Sequence, residues 1–333
     1  MLIGGWGGLA TVLLAGGITG SVLAPMKLMK KWPWENIWLL FSVCAYLIAP
    51  WVVAFLSIPK LLNVYQSVQP HLLVVTFLLG TGWGLAVVLF GIAVDMAGLS
   101  ISGALLYGSS VALGSVGALV LLDPSKLLSA DNLRIFAWDL ILVLGVLLCA
   151  KAARVREPAT SADGIRTRRG VVISLLAGIL STLFNIVLTY GEPIRQQAIV
   201  AGADPKLGAN AIWSLAVTGG ALPSIVWSLW LLTRNRHWKL YRERGGVENA
   251  LICLGMGAAW IAGTVLYGMA TSRMGRLGTA LAWPMYMSAI ILTGIFWGLG
   301  LGEWRGSPSV SIRYLWIGVS TQILAITLLS LAK

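Results

Sequence analysis

Charged side chains are scarce in this sequence. Asp, Glu, Lys and Arg make up only 11% of its 333 residues, whereas apolar residues make up 58%. Soluble domains carry about 25% charged residues, so the composition excludes an ordinary soluble protein. The mean hydropathy of +0.85 supports the same conclusion.

Histidine and cysteine are also sparse. The two histidines, His71 and His237, fall in predicted loops, and the three cysteines fall inside apolar stretches without paired spacing. This pattern excludes a metal-ligand cluster and a disulfide framework. The sequence also lacks a phosphate-cradling loop and a plausible Ser-His-Asp set. We therefore predict that the protein is not an enzyme and uses no metal or cofactor.

Long apolar stretches dominate what is present. A helix needs roughly 20 apolar residues to cross the hydrocarbon core, and the alternating ten-residue segments of a barrel are missing. The apolar windows predict ten transmembrane helices, near 2–24, 36–58, 72–94, 100–122, 134–152, 170–190, 209–233, 248–271, 277–299 and 310–332. The predicted fold class is an all-α polytopic membrane protein. The first stretch has no preceding basic residue and no cleavage pattern, so we expect it to be a retained span.

Basic residues are divided unequally between the two sides of the membrane. We name the side on which the first helix begins the first side, and the opposite side the second side. Sixteen of the 24 Lys and Arg residues fall on the second side, and eight fall on the first: Lys60, Lys126, Arg134, Arg195, Lys206, Arg273, Arg276 and Lys333. The positive-inside rule predicts a multi-pass inner (plasma) membrane protein with both termini in the periplasm. The lipid bilayer accounts for the positive charge, and no nucleic acid partner is expected.

A basic segment divides the chain into two halves. Residues 1–152 and 170–333 each hold five predicted spans, and 153–169 form a basic cytoplasmic linker between them. Because five is odd, the two halves lie in opposite orientations and are predicted to form a 5+5 inverted repeat. A shift of 177 residues aligns Trp83 with Trp260. Carriers use this architecture for alternating access.

Tryptophan is abundant, with 16 residues. Those near predicted helix ends, such as Trp32 and Trp38, fit the aromatic belt at the membrane surface. Trp83, Trp260 and Trp283 lie away from the ends, where the indole N–H needs a partner. In an inverted repeat Trp83 and Trp260 are symmetry mates that can meet at the centre. An aromatic-walled cavity with few charges suits a sugar ring; plain helix packing is the alternative.

Polar residues inside spans are costly unless they are paired or face water. Together with the central aromatics they form the predicted substrate-binding set: Trp83, Tyr107, Asn185, Asn210, Trp213, Trp260, Tyr267, Trp283, Tyr286 and Gln322. Each polar member also fits an interhelical hydrogen bond.

Proton coupling requires a titratable group in the pathway, and two residues are candidates. Asp139 lies inside the fifth predicted span, and Glu192 lies at the end of the sixth. Solvent contact or a pair with Arg134 is an alternative role for Asp139. A pair with Arg195, three residues along the helix, is the alternative for Glu192.

Several motifs resemble one known family. They are the stretch APMKLMKKWPWENIW at 24–38, Pro50-Trp51, Trp83-Gly84, Gly202-Ala203-Asp204-Pro205, Trp283-x-x-Tyr286-Met287-Ser288 and Glu303-Trp304. Together they resemble the L-rhamnose–proton symporter family. The resemblance implies the drug/metabolite transporter superfamily, ten helices in a 5+5 inverted repeat, and import of rhamnose-like monosaccharides with protons.

The expected function is therefore secondary active transport of a small monosaccharide by alternating access, with protons as the candidate coupling ion. The alternative is an exporter of the same fold that carries a non-sugar metabolite or drug.

Overall fold

The computed structural model describes residues 2–29, 31–122, 124–156, 164–243 and 245–331. In these ranges the chain is helical and contains no strand, which confirms the all-α class. The described residues include ten helices that are long and apolar enough to cross a membrane, which confirms the predicted number. Numbered as spans 1 to 10, they are Gly7–Leu28, Trp34–Ser57, Pro70–Ala97, Ile101–Leu122, Ala130–Arg156, Gly164–Val200, Asn210–Asn235, Gly246–Arg273, Gly275–Gly300 and Ser309–Ser330.

The spans are built from individual α-helices, numbered here in chain order. These are α1 (Leu2–Ser21), α2 (Trp34–Ser42), α3 (Ala49–Ser57), α4 (Leu61–Ser67), α5 (Pro70–Ala97), α6 (Leu99–Leu122), α7 (Ala130–Arg156), α8 (Gly164–Ser181), α9 (Leu183–Tyr190), α10 (Glu192–Val200), α11 (Asn210–Asn235), α12 (Gly246–Arg273), α13 (Gly278–Gly300) and α14 (Ser309–Ser330).

Helices α7 and α8 extend into the segment predicted as a linker. The predicted linker, 153–169, is helical at 153–156 and again from residue 164 onward, and residues 157–163 lie outside the described part. Basic side chains at helix ends can reach the headgroup layer while their stems stay on the helix. Helices α7 and α8 therefore continue past the apolar stretch into the basic segment, beyond the ends that hydropathy alone predicts.

Spans 2 and 6 are interrupted near mid-depth. In span 2, α2 and α3 are joined by a π-helical segment, Val43–Ile48. Pro50 has no N–H to donate to the Tyr46 carbonyl, and the Ala49 N–H bonds instead to Cys44, five residues back. In span 6, α8 and α9 meet at Thr182, whose hydroxyl donates to the Ile179 carbonyl at 2.7 Å. Interruptions of this kind shift neighbouring side chains relative to a regular helix.

Helices α5 and α11 approach each other closely because glycines meet. A Cβ added at Gly80 would lie 1.7 Å from the Ala216 carbonyl oxygen, and one added at Gly84 would lie 2.2 Å from that of Gly220. A Cβ at Gly220 would in turn lie 2.6 Å from the ring of Trp83. This small-residue seam is a packing motif of membrane helices, and it sets the position of the Trp83 ring.

Eight of the ten spans surround a central space. Helix α1 packs against α12 and α13, α8 packs against α5 and α6, and α7 packs against α14. Helices α11 and α14 contribute no described side chain to the central cavity. The cavity is therefore enclosed by the other eight spans.

Candidate functional site

A cavity of about 760 Å³ enters the protein from the second side. Its wall follows α5 from Trp83, at the middle of the helix, to Ala97, and α13 from Trp283, in its second turn, to Gly298, so it runs to the end of both helices on the second side. Lys27 and Arg156 lie at its rim. The volume falls within the range of about 300–1,000 Å³ that is typical of small-molecule sites. The cavity therefore has the size of a small-molecule site and opens toward the second side.

Three aromatic rings form the floor of this cavity. The rings of Trp83 and Trp260 are stacked, with centroids 5.7 Å apart and planes at 27°. Tyr46 contacts both of them edge-on, at 5.3 and 4.8 Å. The two tryptophans thus meet at the centre of the molecule, as their related positions in the two halves predict. Because they contact each other, a ligand can stack on their outer faces but cannot lie between them.

The floor also carries polar groups that no protein group satisfies. Within the described residues, no hydrogen bond involves the hydroxyls of Tyr46, Tyr107 or Ser181, or the indole N–H groups of Trp83 and Trp260. All five residues line the cavity. A polar group at mid-depth in a membrane protein needs a partner. These donors and acceptors are therefore available to a hydroxylated ligand.

Trp283 and Tyr286 line the cavity as well, but their polar atoms are occupied. The Trp283 N–H donates to the Ser110 carbonyl at 2.9 Å, and the Tyr286 hydroxyl bonds to Thr19 at 3.0 Å. Gly114 leaves room for the Trp283 ring, since a Cβ there would lie 2.2 Å from it. These two residues shape the wall and hold α13 against α6 and α1.

A single layer of side chains, here called the floor layer, closes the cavity toward the first side. It consists of Phe184, Asn185, Trp213 and Tyr267. The fully buried Tyr267 hydroxyl donates to Asn185 Oδ1 at 2.6 Å, and Asn185 Nδ2 donates to the carbonyls of Gly114 and Thr279 at 3.2 and 3.0 Å. Phe184 stacks on Trp213 at 4.5 Å. The predicted site residues Asn185, Trp213 and Tyr267 thus lie directly beneath the cavity surface.

Two predicted site residues lie away from the cavity. Asn210 Nδ2 donates to Ser57 Oγ at 3.0 Å. Gln322 Oε1 accepts from Ser288 Oγ at 2.8 Å, and its Nε2 donates to Cys149 Sγ at 3.3 Å. Interhelical hydrogen bonds, the alternative considered for the polar set, are the observed roles of both.

The two acidic candidates have opposite surroundings. Asp139 is only 3% exposed, and neither of its carboxyl oxygens has a hydrogen-bond partner in the part of the chain that the structure describes. Arg134 pairs with Asp131 at 3.4 Å, so both solvent contact and a pair with Arg134 are wrong for Asp139. Glu192 lies on the first side and pairs with Arg195 at 2.6 and 2.7 Å. That predicted pairing is confirmed.

Sequence reasoning missed Tyr46 and misplaced two tryptophans. Tyr46 lies in the π-helical segment, and the proline four residues later was the available signal. Trp38, predicted for the membrane surface, is buried and lines the cavity. Trp32 is likewise buried, and its N–H donates to the Leu240 carbonyl at 3.2 Å. Among the described residues, no group of three His, Cys, Asp or Glu side chains could hold a metal ion.

Comparison with known proteins points to one family. The family model described as L-rhamnose-proton symport protein (RhaT) matches residues 8–333. The L-rhamnose-proton symporter of Cronobacter sakazakii is 23% identical over 317 residues, which cover 92% of each chain. The protein of the same name from Shigella boydii is 23% identical over 311 residues, which cover 91% of this chain and 90% of the relative. That of Escherichia coli shows the same identity over the same length.

Proposed function

Because this chain belongs to the L-rhamnose-proton symport protein family, we propose that it is a secondary transporter that carries a small monosaccharide such as L-rhamnose together with protons. Its relatives are named as L-rhamnose-proton symporters. The observation that carries the proposal is the central cavity, which reaches mid-depth, ends on aromatic rings, and is closed to the first side by one layer of side chains.

The proposed sugar site is the cavity floor. A sugar ring has apolar C–H faces that stack on aromatic rings, and Trp83 and Trp260 supply such a surface. The unpaired hydroxyls of Tyr46, Tyr107 and Ser181 supply partners for the sugar hydroxyls. Trp283 and Tyr286 complete the wall. Asn185, Trp213 and Tyr267 support the floor from below, so we assign them to the gate rather than to the ligand.

Alternating access follows from a 5+5 inverted repeat, and the helix neighbours support this repeat. Span 1 packs against spans 8 and 9, and its proposed equivalent, span 6, packs against spans 3 and 4. Spans 5 and 10, which are equivalent to each other, pack together. Both relations are those of a two-fold axis in the membrane plane. The same architecture underlies the proposed place of the chain in the drug/metabolite transporter superfamily, with the halves 1–152 and 170–333.

We assign proton coupling to Asp139. On α7 the cavity is lined by Val146, Cys149 and Ala153, and Asp139 lies seven residues before Val146 on the same helical face. That spacing puts it about 10 Å nearer the first side, beneath the closed floor. Once the floor layer opens to the first side, this face becomes part of the opposite cavity.

The packing around Asp139 supports this role. Its polar neighbour is Ser115, whose hydroxyl donates to the Ala280 carbonyl at 2.9 Å. An unpaired carboxylate is costly inside a membrane protein, so the closed packing accommodates the neutral acid. Asp139 would thus take a proton from the first side and hold it in the described packing, and import requires that the proton then leaves to the second side along the α7 face that reaches the cavity at Val146. The charge of Glu192, the alternative coupling residue, is already compensated by Arg195.

The proposed orientation has the second side in the cytoplasm of the cell and both termini in the periplasm, in the inner membrane. It is supported by the excess of basic residues on the second side. A reporter enzyme that works only in the periplasm should be active when it is fused to the C-terminus. A tag inserted within 157–163 should not react with membrane-impermeant labels in intact cells. The reverse labelling pattern would overturn the orientation.

A second candidate function is export of an apolar or amphiphilic solute. It is favoured by the outer part of the cavity, whose wall is aliphatic, with Val87, Ile101, Ile290 and Leu301 among its residues. An aliphatic wall favours an amphiphilic ligand over a sugar, because an amphiphile gains free energy when it buries apolar area against that wall.

Transport by purified protein in proteoliposomes distinguishes the two functions. With the outside one pH unit more acidic than the inside, labelled L-rhamnose should accumulate above its outside concentration, and a protonophore should abolish the accumulation. Empty liposomes are the control. Absence of L-rhamnose uptake by protein that still exchanges an amphiphilic solute would reject the sugar symporter in favour of the exporter.

A further inference from the structure

A second cavity, of about 400 Å³, lies on the first side of the protein. It is lined by the end of α9, the start of α10, and the connection between α12 and α13. We propose that this cavity, here called the vestibule, is a separate and weaker binding site for the same neutral monosaccharide, which the sugar occupies before it passes the floor layer. This inference rests on the proposed transport of a sugar.

The lining of the vestibule differs in chemistry from that of the central cavity. It contains no aromatic ring among its described residues, and most of its members are polar. The polar ones are Thr189, Glu192, Arg195, Thr271, Ser272, Arg276 and Thr279. Such a lining offers hydrogen bonds but no stacking surface, so it suits a hydroxylated ligand that is held weakly.

The carboxylate of Glu192 is held in a fixed position. It accepts from Arg195 Nε and Nη2 at 2.7 and 2.6 Å, and Gln196 Nε2 contacts it as well. Arg195 Nη1 also donates to the Pro205 carbonyl at 3.2 Å. A fixed carboxylate–guanidinium pair presents acceptors and donors side by side, which matches neighbouring hydroxyls of a sugar. Because the two charges compensate each other, the pair itself presents no net charge to a ligand.

The hydroxyls of the vestibule retain hydrogen-bonding capacity. Thr189 Oγ1 donates to Thr279 Oγ1 at 2.9 Å, which leaves the Thr279 hydrogen available. Ser272 donates to the Gly268 carbonyl at 3.1 Å, and its oxygen can still accept. These groups line the vestibule together with Glu192.

Contacts of the floor layer link the lining of the vestibule to that of the central cavity. Thr279 lines the vestibule, and its carbonyl accepts from Asn185, which accepts in turn from Tyr267. The Tyr267 ring stacks at 4.5 Å on Tyr286, which lines the central cavity. A chain of three contacts therefore joins the linings of the two spaces through the Asn185–Tyr267 hydrogen bond.

Protection from alkylation tests the vestibule in nanodiscs, where both sides of the protein are reachable. The reporter is the Ser272→Cys variant, and Thr189→Cys is a second reporter in case the first misfolds. Asn63→Cys, on an exposed face of α4 on the same side, is the matched control. Maleimide labelling is read for each peptide by mass spectrometry while L-rhamnose is increased. Quenching of tryptophan fluorescence reports the central cavity in the same samples.

L-rhamnose is expected to protect both reporters, but not Asn63→Cys, at concentrations about tenfold above those that quench fluorescence, because the vestibule lacks a stacking surface. Protection should persist when Trp83 and Trp260 are both replaced by Ala, and Glu192→Gln should weaken it several-fold. Quenching without protection would overturn the vestibule and leave the transporter intact. Protection that disappears with the two tryptophans would also overturn it, since the effect would then come from the central cavity. Absence of both signals and of uptake would remove the proposed function together with this inference.

Discussion

Replacing Trp83 or Trp260 by Ala is expected to weaken L-rhamnose binding about tenfold or more. Stacking of a base on an aromatic side chain contributes about 1–3 kcal/mol, and a sugar face should gain a similar amount at this floor. A change of about 1.4 kcal/mol corresponds to a factor of ten in affinity. Titration of the purified variants by calorimetry, followed by initial uptake rates, measures the effect.

The variant with both Trp83→Ala and Trp260→Ala should lose less affinity for L-rhamnose than the product of the two single-variant factors. The two rings contact each other at 5.7 Å, and substitutions at contacting residues are not additive. Trp→Phe changes should retain partial affinity, because the stacking face remains while the indole donor is lost. Trp283→Ala should also impair transport, since its ring is both wall and anchor of α13.

The matched control is Trp316→Ala. This residue lies on α14, is 48% exposed, and does not line the cavity. All variants should insert into the membrane and fold. A thermal melt in detergent checks the folding of each variant independently of binding. Wild-type affinity in both the Trp83 and Trp260 variants would remove the sugar site from the cavity floor and leave these rings as packing.

Asp139→Asn is expected to abolish accumulation driven by the pH gradient while it leaves sugar binding and exchange intact. One proton per sugar allows up to about tenfold accumulation per pH unit, because one unit corresponds to about 1.4 kcal/mol. The variant should bring the ratio of inside to outside concentration to about one. Asn has nearly the shape of Asp, and no hydrogen bond to the carboxyl oxygens is lost among the described residues. The measurement is counterflow exchange beside pH-driven uptake in the same proteoliposomes.

Asp131→Asn is the control for this substitution. It removes an acid from the same helix, but one that is exposed and paired with Arg134. It should accumulate L-rhamnose as the unmodified chain does. Persistent accumulation by Asp139→Asn would make Asp139 a structural residue and move the test to Glu192→Gln.

Much of the fold could be predicted from sequence because the bilayer imposes simple rules. A span must be apolar over its whole length, and each of the ten predicted spans corresponds to a described helical segment that is long enough to cross the membrane. The alignment of Trp83 with Trp260 in the predicted repeat led us to expect that the two rings meet, and they are stacked 5.7 Å apart. The need of the Trp283 indole for a partner followed from its depth, and the partner proved to be the Ser110 carbonyl.

The rest of the site depends on contacts that no local pattern encodes. Tyr46 reaches the floor because a π-helical segment changes the register of span 2, whereas a sequence reading assumes 3.6 residues per turn. Asn210, Gln322 and Tyr107 are all polar residues within predicted spans, so the sequence does not distinguish them. The polar groups of Asn210 and Gln322, however, form hydrogen bonds with neighbouring helices. Asp139 lies nine residues into α7, which begins at Ala130 rather than at 134. Its burial therefore exceeds what hydropathy predicts.

The glycine seam between α5 and α11 gives the cavity an adjustable depth. The Trp83 ring rests against the bare backbone of Gly220, so any side chain at position 220 must push the ring forward or part the two helices. Gly220 does not line the cavity, yet it sets the position of the Trp83 ring on the cavity floor. Substitutions at this seam are therefore expected to change the size of the solute that the cavity accepts while the residues of its wall stay the same. The depth of the cavity is thus set in part from behind its surface.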